Sequence, residues 1–178
     1  MSEIRIASRY AKSLIELANE QQAVEAIYAD MDLFAKTCKV NRDLVVMLKS
    51  PIIRGDKKRQ VIEASFTGFN KLTTLFVNTV IRKGREAFLP LIAKEVIRMY
   101  NEQHNIASAI VTTAAAVDAN VLADIQKTLE SKTGKKIVLE MEVDPSLIGG
   151  LVVRMGDSLY DASIAKQLKN IKKELVLN

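Results

Sequence analysis

Few residues in the sequence can do covalent or coordination chemistry. His104 is the only histidine and Cys38 the only cysteine in 178 residues. One of each cannot assemble an ordinary His/Cys metal set, nor a histidine pair for acid–base work. His104 stands beside Gln103 and Asn105 at an expected helix end and reads as a surface residue. Cys38 precedes Lys39, which would lower a thiol pKa; the plainer reading is a small residue near a helix end. The pair Gly134-Lys135 is followed by no hydroxyl residue, and Leu129 stands where a phosphate-cradling loop needs its first glycine. Gly149-Gly150 precedes an expected strand, the reverse of the dinucleotide-binding order. Asp30/Asp32 and Glu140/Glu142 are spaced by two, which separates side chains on a helix and sends the second pair to the wet face of a strand. The expectation is a chain that is not an enzyme by itself, with no catalytic residue, cofactor or metal.

Charge is the next possible chemistry. The net charge is +5. Residues 1–105 carry 17 Lys+Arg against 12 Asp+Glu, whereas residues 106–178 carry 9 of each. The densest run, Arg54-Gly55-Asp56-Lys57-Lys58-Arg59, is interrupted by an acid and lacks a neighbouring stacking aromatic. It reads as a solvated helix start rather than a phosphate contact. A basic helical nucleic-acid binder is the rival reading, weakened by the lack of a recognisable reading element. A small phosphoryl-binding enzyme would rest on isolated glycines alone.

The elements that must position these residues fall into two regimes. From Ile4 to His104 the apolar period is helical. Ile4, Ala7, Ala11, Leu14 and Ala18 make one stripe; Val24, Ile27, Met31 and Phe34 make a second. A short helix Leu44–Leu48 must stop before Ser50-Pro51. A fourth, Lys57–Phe66, presents Val61, Ile62, Ala64 and Phe66. A fifth, Lys71–Arg82, places Leu72, Leu75, Phe76, Thr79 and Val80 on one side before Gly84 ends it. The sixth, Glu86–Gln103, tolerates Pro90 only in its first turn.

After Asn105 the pattern changes. Ile106–Ala116 is β-branched and favours a strand. Asp118 is placed to cap a helix through Lys132 with Val121, Ile125 and Leu129 buried. Lys136–Val143 alternates, Leu151–Met155 and Ser158–Tyr160 are strands around a Gly156-Asp157 type II′ turn, and Asp161 caps a last helix with the seam Ile164/Leu168/Ile171/Leu175. The expected fold is two domains: an N-terminal all-α six-helix bundle over 1–105, then a small α+β domain over 106–178 in the order β-α-β-β-β-α. Nothing in the sequence reads as a signal peptide or a span of the roughly 18 apolar residues a bilayer needs, so a soluble, cytosol-facing protein is expected.

The segment DPSLIGGLVVRMGDSLYDASIAKQLKNIKKEL, Asp144 to Leu175, closely resembles the C-terminal signature of the F-type ATP synthase delta subunit family, bacterial counterparts of the mitochondrial oligomycin-sensitivity-conferring protein. Gly149, Gly150, Arg154, Gly156, Asp157, Asp161, Ser163 and Leu168 carry the match, with Ile171 and Leu175. Ala7, Tyr10-Ala11, Leu14 and Ala18, Ser50-Pro51, Asn78, Arg82, Gly84, Arg85 and Asn105-Ile106-Ala107 are similar to the family elsewhere. Tyr160 departs from it, standing where many members carry an aliphatic residue.

The resemblance implies a non-catalytic stator, or peripheral-stalk, subunit of the proton-transporting ATP synthase. Its first domain would hold N-terminal helices of the alpha subunits on the catalytic head. Its second would meet the C-terminal ends of the b subunits, with no nucleic-acid partner. It would sit peripherally at the cytoplasmic face of the bacterial inner membrane, associated with it only through the complex. By the same analogy the alpha groove lies between the first and fifth helices. Its candidates are Ala7, Tyr10, Ala11, Leu14 and Ala18 with Leu75, Phe76, Thr79 and Val80. The alternative for each is intramolecular core. The C-terminal glycines are expected to shape backbone more than to touch a partner.

Overall fold

The computed structural model describes residues 3–115, 117–156 and 158–177, without the side chains of 119, 120, 170, 171 and 173–177. The chain divides into two compact units, Met1–Asn101 and Glu102–Asn178. The first contains α1 (Glu3–Glu20), α2 (Val24–Val40), α3 (Arg42–Lys49), α4 (Gly55–Ser65), α5 (Lys71–Arg82) and most of α6 (Leu89–Gln103). Glu86–Phe88 is a 3-10 turn rather than the start of α6, which puts Pro90 in the first turn, where its missing N–H costs no bond.

Sequence signals account for the joints. Asn41 and Asn70 cap α3 and α5 by accepting from the N–H groups of Leu44 (3.2 Å) and Leu72 (2.9 Å). Asp30 of α2 reinforces the second joint: one carboxylate oxygen accepts from the Asn70 N–H at 2.8 Å and the Thr73 hydroxyl at 2.6 Å. That explains a misread face. The buried side of α5 is Thr73, Val77, Val80 and Ile81, while Leu75 and Thr79 point to solvent. Both rows have helical spacing, and the polar Thr73 faces inward because Asp30 satisfies its hydroxyl. Likewise Ile4 and Val61 are exposed, and the inward face of α4 holds Lys58 and Ile62.

The core joins Ala7, Ala11, Leu14 and Ala18 of α1 to residues from every other helix of the unit. Small residues let α1 lie close to its neighbours, and burial of the apolar stripes supplies the stability that such short helices lack alone. Phe66 anchors one end, 5.3 Å from the Phe34 ring centroid and stacked on Phe69 at 4.7 Å.

The second unit runs β1 (Ile106–Thr113), α7 (Ala119–Thr133), β2 (Lys136–Val143), a 3-10 turn Pro145–Leu147, β3 (Leu151–Met155), β4 (Ser158–Asp161) and α8 (Ile164–Leu177). The sheet order is β2-β1-β3-β4, with β1 parallel to β2 and the remaining pairs antiparallel. A parallel pair needs a long crossover, and α7 provides it. β1 stops at Thr113, short of the expected Ala116, which lies outside the described residues. Ala109, Val111, Ile137, Val153 and Leu129 form the core. Asp118 occupies the cap position of α7 without a side-chain cap bond, and Val121 is exposed. Instead, Gln126 and Glu130 tie α7 to the start of β2. Gln126 donates to the Ile137 carbonyl at 2.8 Å, and Glu130 accepts from the Ile137 N–H at 3.0 Å. The alternation of β2 is only half used: Ile137 is buried, but Met141 and Val143 on the same side are exposed.

Candidate docking surfaces on the helical unit

The nine groove candidates separate. Ala7, Ala11, Leu14, Ala18 and Val80 are buried inside their own unit. Helical spacing marks an apolar face but not what covers it, and here the other helices do. Tyr10, Leu75, Phe76 and Thr79 reach the surface, in two places rather than one.

The first place is a cleft of about 300 Å³ lined by Ile6, Arg9, Tyr10, Ser13 and Arg85. The Tyr10 ring of α1 meets Phe76 of α5 edge-on, centroids 6.2 Å apart and planes at 73°. Arg85 donates to the Tyr10 hydroxyl at 3.2 Å, and its guanidinium carbon is 5.7 Å from the ring centroid, within cation–π range. Gly84 makes that placement possible. At φ 65° it reverses the chain so that its own N–H reaches the Ile81 carbonyl (2.8 Å) and the Arg85 N–H reaches Val80 (3.1 Å), a Schellman ending. Aromatic and arginine side chains held in a partly wet cleft are the types that dominate binding energy at protein interfaces.

The second place, about 620 Å³, lies between the first turn of α4 and the outer ridge of α5. It is lined by Arg54, Gly55, Asp56, Arg59, Leu75, Asn78, Thr79, Ile81 and Arg82. Here the reading of the basic run as uniformly solvated needs correction. Lys58 is 2 % exposed; its ammonium donates to the Leu48 carbonyl at 2.9 Å and pairs with Glu86 at 2.7 Å. It thereby fastens α4 to the end of α3 and to the 3-10 turn. Nothing in the sequence separates Lys58 from Lys57; only the three-dimensional arrangement of Leu48 and Glu86 does.

The C-terminal signature is a backbone device. A Cβ on Gly149 would stand 2.7 Å from Ile164 Cδ1, and one on Gly150 only 2.4 Å from the Ala162 carbonyl oxygen. Gly150 also sits at φ 76°. This closeness lets the Ile164 N–H reach the Gly149 carbonyl at 3.0 Å and the Ala162 N–H reach Leu151 at 2.9 Å. The cap of α8 is Ser163, whose hydroxyl accepts from the Lys166 N–H (3.2 Å). Asp161 acts one step earlier by accepting from the Ser163 N–H at 3.0 Å. The Ser163 hydroxyl, then its backbone N–H, hold the Asp161 carboxyl below its ordinary range. Met155 pairs with Ser158 across a two-residue turn that opens on Gly156 at φ 55°. Asp157, and with it the turn type, lies outside the described residues. Arg154 projects from β3 into solvent. Ile164 and Leu168 are open, Leu168 to 52 %, while the side chains of Ile171 and Leu175 lie outside the described residues. Tyr160 is 60 % exposed, so its ring fills no core site. Ile148 just before the glycines takes φ 64°, a strained setting for a β-branched residue.

Burial pushes the Cys38 thiol up to about 11, against a smaller opposing pull from Lys94, so Lys39 does not activate it. Among the described residues no cluster of three His, Cys, Asp or Glu side chains is placed to hold a metal ion, and no helix is long and apolar enough to cross a membrane.

These features define a class at the level of architecture: a helical unit with one open cleft along α1 and another between α4 and α5, followed by a small unit built on a mixed four-stranded sheet. Residues 6–175 match the family model of the ATP synthase delta (OSCP) subunit, and the chain belongs to that family. It is 35 % identical over 175 residues to ATP synthase subunit delta of Christiangramia forsetii, covering 98 % of this chain and 95 % of that one. The same protein of Flavobacterium psychrophilum is also 35 % identical, with 98 % and 99 % covered. A chain in the cryo-EM structure of the Toxoplasma gondii mitochondrial ATP synthase hexamer shares the fold. Its TM-score is 0.72 at 21 % identity, with 96 % of this chain and 97 % of that one covered.

Proposed function

We propose that this chain is a non-catalytic stator subunit of a proton-transporting F-type ATP synthase. Residues 1–105 hold N-terminal helices of the alpha subunits, and residues 106–178 meet the C-terminal ends of the b subunits. The subunit is peripheral, at the cytoplasmic face of a bacterial inner membrane, and stops the head from turning with the central stalk so that torque drives ATP synthesis. The observation that carries the reading is the cleft along α1, lined by Tyr10 and Arg85, where Arg85 holds the Tyr10 hydroxyl and Phe76 of α5 backs the Tyr10 ring from the core. Bracing lowers the entropy lost when a partner helix orders those side chains. On the second unit the exposed Ile164 and Leu168 of α8 are the matching apolar strip for b.

The test is calorimetric titration of the full chain with a peptide of the alpha-subunit N-terminus. Tyr10→Ala and Arg85→Ala should each weaken binding by about 2 kcal/mol, roughly thirtyfold. Leu168→Asp should leave that affinity unchanged while reducing capture of the b C-terminal segment. Wild-type alpha affinity in both cleft variants, with unchanged circular dichroism, would remove the cleft from the interface.

A further inference from the structure

The chain has four tyrosines and no tryptophan, so side chains that readily give up one electron are few. Two of them meet within the helical unit. Tyr28 lies in the second turn of α2 and Tyr100 in the last turn of α6. Their rings are stacked, with centroids 4.1 Å apart and planes at 24°, and both side chains are half-buried. π-Systems this close share the charge left by a lost electron, which a single ring cannot do.

The surroundings favour this pair over its competitors. Burial first, and then the negative charge of Asp32 one helical turn further along α2, raise the Tyr28 pKa against a weaker pull from Lys36. A negative neighbour also stabilises the cationic ring that forms when an electron leaves. Tyr10 has the opposite environment. Arg85 donates to its hydroxyl at 3.2 Å and sets a guanidinium over its ring, so positive charge there is repelled. Tyr160 is exposed, in a unit that holds no Phe, Trp or other Tyr. Cys38 would compete as a thiolate, but a pKa of about 11 keeps it a thiol.

We propose that Tyr28 and Tyr100 form an oxidative modification site, at which a haem-peroxidase-type oxidant acting with hydrogen peroxide joins α2 to α6 through a dityrosine bond. Each phenol gives one electron to the oxidant and its hydroxyl proton to water. The two phenoxyl radicals couple through ring carbons ortho to oxygen. The hydrogen on each coupled carbon then moves to the oxygen as a proton, which restores both phenols. The net loss of two hydrogens reduces one peroxide to two waters. The bond fastens the last turn of α6 to the start of α2. It also constrains the unfolded chain, because its ends lie far apart in the sequence. Neither tyrosine lines either cleft, so the site is independent of the partner contacts proposed above.

The experiment treats the dilute full chain with a haem peroxidase and hydrogen peroxide. The expected products show dityrosine fluorescence, an intact mass lower by two hydrogens, and a peptide pair joining Tyr28 to Tyr100. Tyr28→Phe and Tyr100→Phe, each with unchanged circular dichroism, should lose the fluorescence, whereas Tyr10→Phe and Tyr160→Phe should keep it. Unfolding in urea before oxidation should cut the yield by about tenfold, because the ends of so long a loop rarely meet. The joined chain should unfold at a higher urea concentration than the untreated one. Fluorescence that persists in either of the first two variants, a bond mapped to Tyr10 or Tyr160, or an equal yield from the unfolded chain would overturn the proposal. So would covalent dimers in place of the internal bond, or oxidation confined to Cys38 and the methionines.

Discussion

Replacing Gly150 by Ala should unfasten the second unit, and its cost can be worked from the geometry. An L-residue held at φ 76° costs about 1–2 kcal/mol. The new Cβ would lie 2.4 Å from the Ala162 carbonyl oxygen and 3.1 Å from Ser163 Cα, both backbone, so the β4–α8 junction must move. Moving it breaks the bonds from Ala162 N–H to Leu151 and from Ile164 N–H to Gly149, each worth about 1 kcal/mol net. The sum is about 3–4 kcal/mol. Gly134 supplies the control, at φ 67° with nothing within 4 Å of its virtual Cβ, so Gly134→Ala carries the conformational cost alone. Gly149→Ala should cost least, because Gly149 carries no left-handed φ and its Cβ would meet only the flexible tip of Ile164. Native-state hydrogen exchange reads the units separately. Protection in β1 and β3 should fall by roughly two orders of magnitude or more in Gly150→Ala, about tenfold in Gly134→Ala, and not at all in α2. Equal losses in the Gly150 and Gly134 variants would show that the close approach contributes nothing.

Two further outcomes follow from buried and capping groups. Lys58→Met should destabilise the helical unit by about 3–5 kcal/mol by leaving Glu86 without its cation, and Lys58→Met/Glu86→Leu should recover much of that; a loss near 1 kcal/mol in urea titration would reduce the pair to a surface contact. Asp161 is more ionised folded than unfolded, so below its ordinary value of 3.8 the unfolded state takes up more protons. Its stabilisation is complete above that value and disappears as pH falls through the lower folded one. The stability gap between the unchanged chain and Asp161→Asn should therefore narrow on acidification, and a pH-independent gap in the urea midpoint would argue against the turn.

What the sequence revealed and what it hid have separate physical causes. Helix and strand positions follow from local periodicity and turn chemistry, and Gly84 ends α5 where its type predicts, whereas the caps Asn41 and Asn70 emerge only from the structure. The delta-subunit family was legible in the spacing around Gly149-Gly150, although the reason for those glycines, contact with the start of α8, is tertiary. The proposed groove residues were legible only as apolar faces. Periodicity located the apolar faces of α1 and α5 but could not tell a stripe covered by its own unit from one left open, so Ala7, Ala11, Leu14, Ala18 and Val80 proved internal. The row turned inward on α5 was hidden because a buried Thr73 looks polar until Asp30 is seen to accept its hydrogen. Lys58 was hidden for the same reason. The role of Arg85 in bracing Tyr10 depends on a contact between residues 75 positions apart, which no local pattern carries.

The place of β1 bears on how the chain is made. β1 leaves the ribosome first among the strands of its unit, yet it lies inside the sheet, with β2 along one edge and β3 along the other. β2 is complete only after about thirty more residues and β3 after about forty, a few seconds at ordinary elongation speed. Until β2 is made Ile106–Thr113 is a β-branched ribbon with both edges bare, and until β3 is made one edge stays open. Nascent chains stalled between Thr113 and Met155 should be the most adhesive products of synthesis, and the ones that most need a chaperone.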